Sequence, residues 1–259
     1  MTSSPVTETV AAAPGYAEWR AARLAGVVSA AGNLALVETR WLSPGTDATV
    51  VADKLERARS GASPTVTVTA VERRDIDTGE TQSGMRFWDA ASAAITAFET
   101  ITAFPYDPDW VIEAEFVPVA GDRTVPFEHI RDNGGSRALV VPGDIRFSRD
   151  GVDYSLSAFD DDGTLLLVFG DATNRRTDET ATYSSGRFLF VRRTDGGGFG
   201  DAGSVTLDFN RAFVPPCGFS VHYNCPLPPA SNRFSVPIEA GERQVAFRGG
   251  FDIYASLGD

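Results

Sequence analysis

The stretch 208–233 holds most of the side chains able to do chemistry. Asp208, Asn210 and Arg211 stand at its start, Cys217, His222 and Cys225 in its middle, and Asn232 and Arg233 at its end. An aspartate beside an arginine is an acid or base beside an anion anchor, because a guanidinium grips a carboxylate with two parallel hydrogen bonds. Cys217 and Cys225 have seven residues between them and admit three readings. They are small buried hydrophobes, or a disulfide across the stretch, or one of them is a nucleophile or metal ligand with His222 three positions before Cys225. A thiolate needs a nearby cation, which His222, Arg211 or Arg233 can supply. The bland alternative for the polar residues is that they satisfy backbone groups that coil leaves unpaired. Asp171, Tyr183 and Arg187 form a second polar set. Glu239 and Glu242 are the expected partners of these arginines.

Something rigid must hold these groups. Pro215, Pro216, Pro226, Pro228 and Pro229 flank the two cysteines. Proline fixes φ and removes a donor, so the stretch is read as a long ordered loop between two strands rather than as a strand. Such a loop either carries a site or plugs one end of a barrel. If the loop is ordered, Arg211 and Arg233, each beside an asparagine, have fixed origins and can converge on one anion.

The scaffold reads as mainly β. Thr65–Val71 alternates with its valines on one face. Further strands are expected over 33–42, 85–88, 110–117, 123–130, 137–141, 145–148, 153–158, 164–169, 186–192, 204–209, 233–238, 243–247 and 251–255. Asp150-Gly151, Asp162-Gly163 and Asp195–Gly198 carry hairpin-turn chemistry. Helical spacing marks 16–24, a short helix is expected over 50–60, and a helix is preferred over 90–100. Residues 1–14 read as a disordered tail and 15–259 as one domain, with Gly61–Pro64 the one candidate boundary. The expected architecture is an antiparallel β-barrel or closely packed β-sandwich with a short N-terminal helix and a Pro-rich C-terminal loop.

Composition narrows the function classes. The net charge of -12 argues against nucleic acid, which needs a basic face. No apolar run approaches the roughly 18 residues of a membrane span. The polar start lacks a secretory pattern, so the cytoplasm is the expected compartment and the cysteines are expected as thiols there. Two cysteines and two histidines make no convincing zinc site without added carboxylates. Gly196–Gly200 is followed by no lysine and is no phosphate loop, and Ser184-Ser185-Gly186 lacks the context of a nucleophile elbow. His129, at an expected strand end, reads more readily as structural than as catalytic.

The sequence also resembles a known family. Asp208-Phe-Asn-Arg-Ala212, Pro215-Pro-Cys217, Cys225-Pro-Leu-Pro-Pro229, Asn232-Arg233 and Ala240-Gly-Glu242 look like the hallmark of the domain of unknown function 1684 family. Phe213-Val214 stands where the family reads Tyr-Asn, and Gly218 where it reads Ala. Asp171-Ala-Thr173 and Thr182-Tyr-Ser-Ser-Gly-Arg187 resemble upstream family elements. Arg86–Asp89, Pro105–Pro108, Pro142-Gly143 and Trp41–Gly45 fit more loosely. The resemblance implies a fold but no established reaction.

The expected function is a cofactor-independent small-molecule enzyme of the lyase, isomerase or cyclase type, working in a barrel pocket. Asp208, His222 and Cys217 are its expected catalytic groups. Arg211, Arg233, Asn210, Asn232, Tyr183 and Arg187 are expected to bind substrate, with no metal. The alternatives are a non-catalytic module that binds a small ligand and, third, an interaction protein. A pocket with converging charged groups favours the enzyme, and an apolar one the binder.

Overall fold

The computed structural model describes residues 13–121, 123–132, 135–198 and 200–255. The tail expected over 1–14 lies outside these residues up to residue 12. The helices are α1 (Tyr16–Val27), α2 (Ala48–Ser60) and α3 (Ala93–Ala97). The strands are β1 (Leu36–Trp41), β2 (Val66–Arg74), β3 (Thr81–Asp89), β4 (Phe98–Ala103), β5 (Val111–Pro118), β6 (Thr124–Glu128) and β7 (Ser136–Val140). They continue with β8 (Gly143–Arg149), β9 (Val152–Asp161), β10 (Thr164–Phe169), β11 (Arg187–Phe190), β12 (Arg192–Arg193), β13 (Gly203–Asp208) and β14 (Glu242–Phe247).

Seven strands form an antiparallel sheet in the order β11-β10-β9-β8-β5-β13-β12. Its two edge strands are joined by Val191 alone, so one bent stretch of chain supplies both edges and the sheet nearly closes into a barrel. Turn chemistry sets the register. Arg149 pairs with Val152 and Asp161 with Thr164, leaving two-residue loops. Asp150, Gly151, Asp162 and Gly163 all have positive φ, the conformation that hairpins of this length require.

The barrel interior is not a pocket. Phe116, Ile145, Leu156, Leu167, Phe169 and Leu207 fill it, and Phe209, Phe234, Ile238 and Ala240, from either end of the Pro-rich loop, cap it. The space expected to hold a pocket inside the barrel is taken up by these side chains. Strand β10 is buried on both faces after its first residue. Leu165 and Leu167 face the barrel, while Leu166 and Val168 face a second core with Val27, Leu34, Phe219 and Cys217.

A separate three-stranded sheet, β1-β3-β2, packs Val68 and Met85 against Val51 and Leu55 of α2. Its other face turns toward the Pro-rich loop. There Ser220 Oγ donates to the Leu36 carbonyl at 2.6 Å and Thr39 Oγ1 to the His222 carbonyl at 3.2 Å. The loop runs between β13 and β14 through 3-10 turns at Phe209–Arg211, Pro216–Gly218 and Ala230–Asn232.

Four expected elements differ. Residues 33–35 form a 3-10 turn before β1. Ser92 caps a helix of only five residues, after which β4 begins, because the chain there pairs with β14. Residues 233–238 are not a strand, although Phe234 and Ile238 are buried. Apart from one parallel bridge from Arg233 to Gly170, this segment has no strand partner, and Pro237 lacks a donor. Residues 251–255 form turns rather than a strand.

Candidate functional site

Most of the polar residues expected to bind substrate are spent on the fold. Asn210 is fully buried. Its side chain accepts from the Asp107 amide and donates to the Asp107 carbonyl, both at 2.8 Å. Asp208 accepts from the Asn210 amide and, at 3.0 Å, from Arg211 Nε. The Arg211 guanidinium also lies over the Trp19 ring. Asn232, equally buried, stitches β9 to β10 by accepting from the Ser157 amide and donating to the carbonyls of Ser157 and Val168. These three hydrogen bonds replace ladder bonds where the strands splay.

Arg187 has no exposed surface. It pairs with Asp171 at 2.8 Å and donates to the carbonyls of Ile238, Ala240 and Glu242, clamping the return segment over the barrel end. Burial lowers its pKa and Asp171 opposes that shift. The expected glutamate partners also differ. Glu239 pairs with Arg176, and Glu242 with Arg20 and Arg23 of α1.

Cys217 and Cys225 are buried free thiols, and the Cys217 amide donates to Cys225 Sγ at 3.2 Å. Tyr183 Oη donates to Cys217 Sγ at 3.6 Å. Hydrogen bonding from the Cys225 thiol favours the Cys217 thiolate, while burial pushes the Cys225 thiol up. With Cys217 1% exposed, a soluble thiol reagent should react slowly with the native protein. After denaturation without reductant both thiols should react, and a count of zero would show a disulfide instead.

The structure does not bring Cys217, His222 and Asp208 together. Cys217 sits in the second core and Asp208 in the Asn210 network. His222 faces a cavity of about 430 Å³ between the three-stranded sheet, the Pro-rich loop and the β6–β7 hairpin. Arg211 and Arg233 do not converge either, since Arg211 is held by Asp208 and Trp19 whereas Arg233 lines a cavity around Pro228 that Arg211 does not reach.

The cavity beside His222 is built by strand register. Thr39 of β1 stands opposite Arg86 of β3, and both Trp41 and Val71 stand opposite Gly84. These residues share the face turned away from α2. Gly84 is needed there, because a Cβ would lie 2.7 Å from the Trp41 ring. The loop side supplies Val221, His222 and Asn224, and the hairpin side His129, Arg131 and Arg137.

Its electrostatics run against the charge of the chain. Four guanidinium groups and both imidazoles line it, against the single carboxylate of Glu72 among the described lining residues. Arg137 is neutralised by Asp132 through contacts of 2.7 and 3.2 Å. Arg73, Arg86 and Arg131 have no carboxylate partner among the described residues. Arg73 stacks over Trp41 and donates to the Gln82 side chain. Arg131 Nε donates to the Tyr223 carbonyl at 3.0 Å. Arg86 lies over Trp88 and Tyr223, and its buried Nε has no partner.

His129 Nδ1 lies 3.0 Å from the Phe127 carbonyl. A carbonyl only accepts, so Nδ1 carries the proton of the neutral ring and Nε2 keeps its lone pair. Burial lowers the His129 pKa. Burial and then Arg131 lower that of His222. Both rings are therefore neutral at pH 7 and able to accept a proton. Of these groups, His222 alone was expected at the site. Arg73, Arg131 and Arg137 sit on ordinary strand and turn segments, and only the assembled register reveals them.

A larger cavity of about 550 Å³ opens on the opposite end of the Pro-rich loop, around Pro228 and Arg233. No histidine or cysteine lines it among the described residues. Among the described residues, no group of three or more His, Cys, Asp or Glu side chains is placed to hold a metal ion, and no helix is long and apolar enough to cross a membrane.

None of the curated proteins matches the chain. A solution NMR structure of the uncharacterized protein from gene locus rrnAC0354 of Haloarcula marismortui is 30% identical, with a TM-score of 0.44. That likeness covers 57% of this chain and 77% of the other. A family model, Protein of unknown function (DUF1684), matches residues 96–243, which takes in the loop and hairpin sides of the His222 cavity but not the three-stranded sheet. The chain belongs to the DUF1684 family.

Proposed function

We propose that this DUF1684 protein is a cofactor-independent small-molecule enzyme of the lyase, isomerase or cyclase type whose substrate is an anion. Arg73, Arg86 and Arg131 hold the anion, and His222 or His129 moves a proton on it. One observation carries this reading: both imidazoles of the chain and three guanidinium groups without carboxylate partners line one cavity. Arg86 is central, because its guanidinium lines the cavity over the rings of Trp88 and Tyr223 with no carboxylate partner among the described residues. Trp41 and Tyr223, which hold the arginines by their ring faces, restrict those cations before any ligand arrives. The cytoplasm suits two buried free thiols. The -12 charge disfavours nucleic acid as the anion.

Calorimetry with citrate, succinate and inorganic phosphate tests the reading. At least one should bind the wild-type protein. Arg86→Gln should weaken that binding by about 10- to 100-fold, the worth of a charge-assisted hydrogen bond of about 1.5–3 kcal/mol. An Arg86→Gln variant that binds as wild type would remove the assignment. Once a turned-over anion is in hand, His222→Asn should bind it and fail to convert it. Undiminished turnover by both His222→Asn and His129→Asn would leave only the binding-module reading.

A further inference from the structure

The cavity around Pro228 is a second, independent site, and we infer that it binds a small phosphate monoester. Its position follows from two braced segments. After β10, the chain turns through Asp171–Arg175 in a capping box. Thr173 donates its amide to Asp171 Oδ1, and Asn174 Oδ1 accepts from the Asp171 amide. The Asn174 amide group then reaches across to Thr182 Oγ1 and the Tyr183 carbonyl, fixing the Tyr183–Gly186 turn beside it. Gly186, at φ 94°, lies against Pro228, where a Cβ would meet Pro228 Cγ at 2.6 Å. On the other side, Arg233 forms a parallel bridge to Gly170, and Phe234 donates its amide to the Gly170 carbonyl at 2.8 Å.

The carboxylate and side-chain amide acceptors of this cavity are already taken. Asp171 Oδ2 pairs with Arg187, and its Oδ1 accepts from the Thr173 amide and hydroxyl and from the Ile238 amide. Both ends of the Asn174 side chain are engaged. Among the side chains that remain free are two guanidinium groups, which only donate, and three serine hydroxyls, which can donate. The guanidinium groups of Arg175 and Arg233 have no hydrogen-bond or ion-pair partner among the described residues, and neither do the hydroxyls of Ser184, Ser185 and Ser235. The main-chain amides of Ser184 and Ser185 are likewise unpaired among them. Two uncompensated cations over a neutralised floor, in a chain of net charge -12, make a local anion site.

The donor count selects the anion. A carboxylate offers a single charge and two oxygens, whereas a phosphate monoester carries about -1.5 to -2 charge and three acceptor oxygens. It can engage both arginines and the serine donors together. The volume, about 550 Å³, exceeds what a bare phosphate fills and leaves room for an organic part against Leu227, Pro228 and Phe234.

The test is an amide NMR titration of the full chain with glycerol 3-phosphate, with acetate as the control anion. Glycerol 3-phosphate should shift the amides of Ser184, Ser185 and Ser235. Arg233→Gln or Arg175→Gln should weaken the response at least tenfold. Both side chains are exposed and unpaired, so the variants should melt as wild type does. Shifts confined to His129 and His222 would overturn this second site and leave the proposed function standing. Shifts at the serines in wild type that both glutamine variants retain would overturn the arginine assignment. An equal response to acetate would overturn the phosphate class, and no response at the serine turn would overturn the site itself.

Discussion

Arg187→Met unfolds with a free energy about 3–5 kcal/mol below wild type, the usual cost of breaking a buried ion pair by removing one partner. Methionine fills much of the volume, so packing loss is secondary. Electrostatics and hydrogen bonding dominate. Asp171 Oδ2 loses its only partner, and the carbonyls of Ile238, Ala240 and Glu242 lose their donor in a site with no water access from Arg187, which is 0% exposed. The contrast with Asp171→Asn/Arg187→Met isolates the charge. Removing the stranded carboxylate should recover part of the loss, so the two substitutions combine to less than their sum. Urea unfolding gives the numbers. A single-variant loss under about 1 kcal/mol, or strict additivity, would mean that the clamp does not close the barrel.

Glu242→Ala loosens α1. Glu242 is fully buried, accepts from the Val214 amide at 2.9 Å, and meets Arg20 at 3.1 Å and Arg23 at 3.2 Å. Its loss should cost about 3 kcal/mol, the low end for a broken buried pair, because both arginines retain some exposure and can turn to water. Arg20 and Arg23 are the ionic link between α1 and the strand that returns from the Pro-rich loop. Hydrogen exchange over 16–27 should therefore accelerate more than exchange in β10. Equal acceleration in both would show that α1 and the barrel open as one unit.

How much of this was legible follows from the range of each interaction. Asp150-Gly151 and Asp162-Gly163 announce their hairpins because two left-handed residues in a row admit few other outcomes. The Thr65–Val71 alternation marks a strand in which Val66 and Val68 face α2, while Val71 falls in phase with the threonines on the cavity face. The Pro-rich stretch declared itself as an ordered loop, and of its two anticipated uses the plug over one barrel end appears. Phe209, Phe234 and Ile238 cap the barrel, while His222 faces a cavity. The polar residues bracketing the loop misled for one reason. A coil that buries its backbone must recruit Asn210, Asn232 and Asp208 to satisfy it, and sequence alone does not separate that duty from ligand binding. Phe234, Val236 and Ile238 alternate like a strand, yet Val236 is exposed and lacks a ladder partner. The His222 cavity draws on β1, β2, β3, the hairpin and the loop, so no local spacing encodes it. His129 and Arg86 were visible singly, and their meeting was not.

The two histidines make the central claim directly measurable, because the chain has only these two imidazoles to resolve. Burial lowers both pKa values in the folded state, with Arg131 adding to the effect at His222. The stability they contribute is therefore complete above the ordinary value near 6.5 and is lost as pH falls through the lowered folded values. An anion held by Arg73, Arg86 and Arg131 reverses that field and favours the protonated rings, so its affinity rises as pH falls over the same range. The measurement is a proton NMR titration of both imidazoles with and without saturating citrate. The account predicts both midpoints below the ordinary value in the free protein and an upward move with citrate, absent in Arg86→Gln. Midpoints at or above the ordinary value, or an upward move undiminished in Arg86→Gln, would contradict it.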